Sequence, residues 1–282
     1  ITCRDWSSDV CSSDLIGFWH NPDPHASAFT YTLENELMPY TIYSYDFITQ
    51  ETCELHQYPA EKPINFAEYQ IEQHWVELDN DISIPLRIMY KKGIDLHSPN
   101  PLWLYGYGAY GDCEDPYFSE TMFPILDRGV IYAVAHVRGG GEQGDYWYQQ
   151  GKLQNKQNSF SDFIACMDYL LDSCITEPSK LIIEGGSAGG LLVGAVANIA
   201  PEKCKLVIAD VPFVDVINSM LDDSLPLTTQ EYEEWGNPSN REYFEYMLSY
   251  SPYDNVSAKA YPTMLIRSEE HTSELPSRQV IS

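Results

Sequence analysis

With 282 residues, 44% of them hydrophobic and 13% aromatic, the chain can bury one large core or two smaller ones, which excludes a disordered tail. Sixteen Lys and Arg against 42 Asp and Glu give a formal charge of −26, a surface that repels nucleic-acid phosphates and anionic lipid headgroups and favours cationic peptides or ligands. No apolar run reaches the roughly 18–20 residues of a membrane span, nothing at the N-terminus reads as a signal peptide, and seven cysteines without CxxC or Cys/His spacing indicate neither a disulfide framework nor a metal site. A cytoplasmic protein without metal or cofactor is expected.

The two ends differ from the middle. Residues 1–15, with the near-repeats SSDV and SSDL, and residues 267–282, RSEEHTSELPSRQVIS, carry neither a helical nor a strand period. Both resemble translations of sequencing-adapter DNA and are expected to be artefacts, the natural protein extending beyond them. From Ser27 to Gln57 the pattern is three short strands, SAFTYTL, TIYSYDF and ETCELHQY, separated by ENELMPY and an ITQE turn. Three such strands need further partners, so residues 16–66 read as the last part of a β-propeller followed by a proline-bearing linker. A strand pair, HWVEL and ISIPLRIMYKK, follows around Asp79–Asp81.

Residues 67–266 form the second expected unit. Apolar strand-length runs recur at Leu102–Tyr107, Val130–Val137, Leu181–Glu184, Leu206–Ala209 and Thr263–Ile266, alternating with helical periods. The clearest helix carries Phe160, Phe163, Ile164, Met167, Leu170 and Leu171, with Ser159 or Ser161 as N-cap. Strands of this kind alternating with helices predict an α/β domain whose parallel sheet is covered on both faces.

Directly after the strand LIIE comes Gly185-Gly186-Ser187-Ala188-Gly189-Gly190 and then the apolar helix LLVGAVANIA. A GxSxG sequence is weak alone, but strand, glycine turn and helix are the context in which it lifts a nucleophilic serine above a sheet. The alternatives are an ordinary Gly-rich turn or a phosphate loop, and the latter would need a GKS/T or GxGxxG pattern that is absent. A nucleophilic serine also needs a base and an orienting carboxylate, which in the α/β-hydrolase order follow it. After Ser187 the only histidine is His271, in the suspect tail; His136, at the end of VIYAVAHV, precedes the serine and reads mainly as structural.

The stretches LYGYGAYG (104–111), the run from 126 to 163 containing RGGGE, GGSAGGLLVGAV (185–196), the run from 211 to 238 containing EYEEWGNP, and YSPYDNV (250–256) resemble the catalytic domain of the prolyl oligopeptidase family of serine peptidases, in its oligopeptidase B branch. The resemblance implies a truncated α/β-hydrolase domain cleaving short basic peptides after Arg or Lys. It makes Ser187 the acylating nucleophile, and Ala188 N–H and the Tyr107 hydroxyl the oxyanion donors. Tyr110 becomes a wall of the pocket for the residue before the cleaved bond, the P1 residue. Glu231 and Glu233 become its carboxylates, and Asp115 an acid of the next subsite. An EYEE cluster read without the family is a solvated loop, and i, i+2 carboxylates face one way only in an extended segment. Gln230 stands where the branch usually has Gly. The catalytic Asp and His are expected beyond the strand YPTMLI, so the chain as written is expected to be inactive. A prolyl-type or esterase specificity, or a non-catalytic peptide-binding module, are the competing readings.

Overall fold

The computed structural model describes residues 14–78, 82–268 and 278–281. The N-terminal part is a four-stranded antiparallel meander of β1 (Leu15–Phe18), β2 (Ala28–Asn35), β3 (Met38–Asp46) and β4 (Thr52–Gln57), paired in chain order. Aromatic side chains hold the register: Tyr31 and Tyr43 face each other across β2 and β3 with ring centroids 5.5 Å apart. The Asp46 carboxylate accepts the N–H groups of Ile48 and Thr49, closing the turn anticipated at ITQE.

A second sheet forms the larger body. It contains β5 (Tyr69–Leu78), β6 (Ile82–Lys91), β7 (Leu102–Tyr105), β8 (Ile131–Ala135), β9 (Leu181–Gly186), β10 (Leu206–Asp210), β11 (Thr263–Arg267) and β12 (Arg278–Ile281), in the spatial order β12-β11-β10-β9-β7-β8-β6-β5. The five strands from β8 through β7, β9 and β10 to β11 are mutually parallel, and antiparallel pairs extend the sheet at both sides. The chain leaves β7 toward β8 and then returns to the other side of β7 for β9, so the strand order reverses between β7 and β9. The helices are α1 (Phe123–Leu126), α2 (Asp145–Gln149), α3 (Gln157–Asp172), α4 (Ala188–Ile199), α5 (Val216–Leu221), α6 (Thr228–Trp235) and α7 (Arg241–Leu248).

One sheet face is dry. Ile84, Leu86, Ile88, Leu102, Leu104, Ile131, Ala133, Leu181, Ile183 and Val207 are buried against α3 and α4. Helix α4 is buried almost all round, because Gly190 and Gly194 let it approach Pro212 and Pro252 closely. The opposite face is covered differently from the expectation. Met89, Tyr69, Phe123 and Leu126 form a small second cluster beneath α1, but Trp103, Tyr105, Ile182 and Ile208 are only half-buried. The central strands therefore alternate buried and half-buried residues, and Trp103 donates to Glu184 at 2.7 Å across that face. The tip of the β2–β3 hairpin docks on this side: Glu36 lies 2.6 Å from Arg87, Glu34 accepts the Phe118 N–H, and Leu37 packs on the small cluster.

Two local expectations are corrected. Helix α3 begins at Gln157, and neither Ser159 nor Ser161 caps it: the Ser159 hydroxyl is buried and donates to the Arg138 carbonyl, while Ser161 donates to the Asn158 carbonyl. The backbone of Arg278–Ile281 pairs with β11 although its sequence has no strand period, since an open sheet edge accepts main chain whatever the side chains. Residues 1–13 and 269–277, which hold most of the expected artefacts and His271, lie outside the described residues.

Phe163 is fully buried, and its ring occupies the space a Cβ at Gly106 would need, 2.7 Å from that position. Phe163→Ala is expected to destabilise the fold by ~3–5 kcal/mol, read as a lower midpoint in urea at unchanged slope. A loss below ~1 kcal/mol would mean that the sheet and α3 are not packed as described.

Candidate active site

In an open α/β sheet the crevice beyond the carboxyl ends of the strands, where the strand order reverses, is the usual ligand site. Here that crevice lies at the ends of β7 and β9, which lead into Tyr107 and Ser187. Ser187 has φ 53° and ψ −114°, a left-handed conformation that costs a side-chain-bearing residue ~1–3 kcal/mol. The turn is held from both sides. Ser187 N–H donates to the Asp210 carbonyl at 2.8 Å, and the Ser187 carbonyl accepts from Gly190 and Phe213, each at 3.0 Å. Closeness of backbones demands the flanking glycines: a Cβ at Gly185 would sit 2.1 Å from the Gly189 carbonyl oxygen. The result is an exposed serine at the N-terminus of α4, where the Ala188 N–H has no intrahelical acceptor.

Tyr107 reaches the same point from β7. Its hydroxyl lies close enough to that of Ser187 for the serine to oppose the rise of the phenol. Burial, followed by the charges of Asp112, Glu114 and Glu234, pushes the phenol up to about 12, so it stays protonated and able to donate. Tyr110, at φ 61°, stands next to it with ring centroids 6.3 Å apart and meets Trp235 edge-on at 5.8 Å. Phe213, bonded through its N–H to the serine carbonyl, packs on the other side of Trp235 at 5.3 Å. These rings form an apolar wall beside the hydroxyl pair.

The carboxylates are arranged differently from an extended EYEE segment. Residues 228–235 are helical, with Gln230 inside the helix, where Gln is more favourable than Gly. Glu231 faces the aromatic wall: one of its oxygens accepts from the Tyr110 hydroxyl at 2.7 Å and from the Trp235 indole at 3.0 Å. Glu233, two residues on, is exposed on another side of the helix, and Glu234 is buried instead. Glu234 accepts the Tyr110 N–H at 3.2 Å and the Tyr148 hydroxyl at 2.8 Å. The i, i+3, i+4 spacing of Glu231, Glu234 and Trp235 was a helical signal in the sequence; Phe213 and Tyr148 carried none.

Asp115 belongs to a different group. With Glu114, Glu142, Arg87 and His136 it forms a partly buried acidic cluster, in which His136 Nδ1 lies 3.1 Å from Glu142 and Arg87 donates to the Glu114 carbonyl. His136 Nε2 is buried without a hydrogen-bond partner, so this histidine makes no bond to Ser187 and its position fits the structural role. RGGGE forms the tight turns beneath the site: a Cβ at Gly139 would lie 2.1 Å from the Gly108 carbonyl oxygen, and one at Gly141 2.2 Å from that of Gly111. Among the described residues no group of His, Cys, Asp and Glu is placed to hold a metal ion, and no helix is long and apolar enough to cross a membrane.

A strained serine on a strand–turn–helix junction at the switch point of a mixed sheet is the arrangement of an α/β-hydrolase. A family model described as the prolyl oligopeptidase family matches residues 116–276. Dipeptidyl aminopeptidase BI of Pseudoxanthomonas mexicana is 44% identical over 267 residues, 93% of this chain and 37% of the relative. Protease 2 of Moraxella lacunata is 46% identical over 233 residues, 83% of this chain and 34% of the relative. Among solved structures, oligopeptidase B from Leishmania major matches with a TM-score of 0.81 at 43% identity, over 86% of this chain and 34% of that one. The chain therefore belongs to the prolyl oligopeptidase family of serine peptidases and spans about a third of the length of these relatives.

Two outcomes follow from the geometry. Ser187→Gly and Ser187→Ala both remove the hydroxyl, but only Gly relaxes the backbone, so Ser187→Gly should be the more stable by ~1 kcal/mol or more; equal unfolding free energies would mean an unstrained turn. Glu114 is held up to about 7 by burial first and by Glu142 second. A carboxyl raised in the folded state binds more protons there than when unfolded, so its contribution declines as pH rises from its unfolded value through about 7. Between pH 5 and pH 8 the parent should lose ~1–3 kcal/mol more stability than Glu114→Gln, and parallel pH profiles of the two proteins would contradict the buried acid.

Proposed function

We propose that the protein carrying this chain hydrolyses short peptides after Arg or Lys through an acyl-enzyme on Ser187. The Ser187 oxygen gives its proton to the base and forms a bond to the scissile carbonyl carbon, the carbonyl oxygen takes the negative charge, and Ala188 N–H and the Tyr107 hydroxyl donate to it. The C–N bond then breaks, the amine leaves with that proton, and water cleaves the acyl ester to free the acid and restore the Ser187 hydroxyl. One such donor is worth ~2.7–4 kcal/mol of barrier. The family resemblance puts the base and its orienting carboxylate C-terminal to β11, and neither role is assigned to a described residue.

One observation carries the specificity: Glu231, on the rim of the Tyr110–Trp235 wall, with one carboxylate oxygen engaged by both rings and the other open. A guanidinium entering along the rings meets that open oxygen in a charge-assisted bond, and Glu233 adds longer-range attraction from its exposed position. Asp115, farther along the acidic loop, would serve the neighbouring subsite. The cluster of Tyr110, Phe213 and Trp235 favours the second reading, a pocket for the flat ring of proline. The antiparallel meander of β1–β4, whose Phe18, Phe47 and Ile48 are exposed, fits the end of a propeller. We read residues 1–15 and 267–282 as artefactual and the whole as cytoplasmic.

The test is kcat/KM for matched peptides with Arg and Pro at P1, in a full-length protein carrying this sequence. Arg should be preferred by ~10-fold or more, and Glu231→Gln should remove most of that preference, Glu233→Gln less. A Pro preference, or an Arg preference that survives Glu231→Gln, would refute the basic-residue assignment.

A further inference from the structure

Behind the tyrosine loop lies a buried ammonium for which the chemistry above has no use. Lys156, immediately before α3, is 1% exposed. Its Nζ lies 2.6 Å from the Gly108 carbonyl oxygen, 4.0 Å from a Glu234 oxygen and 4.9 Å from the centroid of the Trp235 ring. Burying an ammonium is costly and needs compensation, and a lysine at a helix start ordinarily keeps its head in water. Here all three compensating groups belong to the site: Gly108 follows Tyr107, Trp235 backs the aromatic wall, and Glu234 also takes the Tyr110 N–H.

We infer that Lys156 is a positioning residue for the oxyanion hole, pinning the Gly108 carbonyl so that the Tyr107 hydroxyl stays beside Ser187 and in register with the P1 wall. The inference rests on the reading of Ser187 and Tyr107 proposed above. The loop needs such a pin. Gly108 and Tyr110 both have positive φ, at 68° and 61°, so residues 107–110 leave the ladder of β7 and cannot be held by regular strand pairing. What holds them is external: Lys156 on the Gly108 carbonyl, Glu234 on the Tyr110 N–H, and the Gly139 carbonyl on the Gly111 N–H at 2.9 Å. Of these, Lys156 acts on the residue adjoining Tyr107, where the Ser159 hydroxyl makes a longer second contact with the same carbonyl at 3.4 Å. Burial pushes the ammonium down to about 8 and Glu234 opposes the shift, so near neutral pH the bond to Gly108 is charge-assisted. Glu234 is bound in turn by the Tyr148 hydroxyl, which accepts from Lys152 at 2.9 Å, so the pin is anchored in α2 as well as α6.

A lysine that merely filled space would affect activity through stability, independently of Tyr107. The experiment is a double-mutant cycle in a full-length protein carrying this sequence, with an Arg-P1 substrate and with folding checked by thermal melts. Lys156→Met should lower kcat by ~10-fold or more with KM changed less than ~3-fold, and in a Tyr107→Phe background the same substitution should cost less than ~3-fold, because the hydroxyl it positions is gone. If Lys156→Met does not fold, Lys156→Gln, which keeps a neutral donor of shorter reach, is taken through the same cycle. Equal fold-losses in the two backgrounds, or a loss confined to KM, would overturn the inference while leaving Ser187 as nucleophile. Activity retained in Ser187→Ala would overturn the serine reading and this inference together.

Discussion

Main chain lies directly on main chain under this site, and the rest of the structure is arranged around two of those contacts. At the elbow, Gly185 meets the carbonyl of Gly189; beneath the tyrosine loop, Gly139 meets the carbonyl of Gly108. A single methyl at either position would lie 2.1 Å from an oxygen, far inside contact distance. The first contact makes the turn tight enough to force Ser187 into its strained conformation. The second brings the end of β7 down onto the turn after β8, so that the loop from Tyr107 to Gly111 lies beside the serine. Phe163 in the core and Lys156 at its margin then complete a seat whose floor is backbone. Strain at the nucleophile is affordable because the dry side of the sheet, with α3 and α4 on it, over-determines the turn.

The parts legible in the sequence are those with a period or a fixed local chemistry. The alternation in β2–β4, the apolar runs of β7–β11 and the stripe on α3 each correspond to an element, and the GxSxG turn lies between strand and helix as its context required. What escaped depends on contacts between distant segments. Ser159 looked like a cap because serine before a helix usually is one; its hydroxyl was already taken by a carbonyl 21 residues away. Glu231 and Glu233 looked like a pair because the family match supplied them as one, whereas the helical face joins Glu231 to Glu234 and Trp235. Lys156 could not be singled out at all, since nothing local distinguishes a buried lysine from a solvated one. The outer face of the central strands was expected to be covered, yet its Trp103–Glu184 pair is suited to a half-wet surface.

The net negative charge distributes into two kinds of environment. Exposed acids such as Glu233 contribute a field, while Glu36, Glu142, Asp162 and Glu234 are buried or nearly so and each has a cation or a donor beside it. The Arg138–Asp162 pair illustrates the second kind. The carboxylate takes both the guanidinium and the Arg138 N–H, tying RGGGE to α3 with all the charge satisfied.

The hairpin tip adds a consequence of another sort. Arg87 touches Glu36 from the small sheet and the Glu114 carbonyl from the acidic loop at the same time. Were the small sheet to tilt away, the guanidinium would lose the Glu36 carboxylate and be left to oppose the burial that raises Glu114 and Asp115. The seating of a β-hairpin would thereby bear on the ionisation of a loop that it meets at Phe118, and through Glu114 on the potential felt by the Tyr107 phenol.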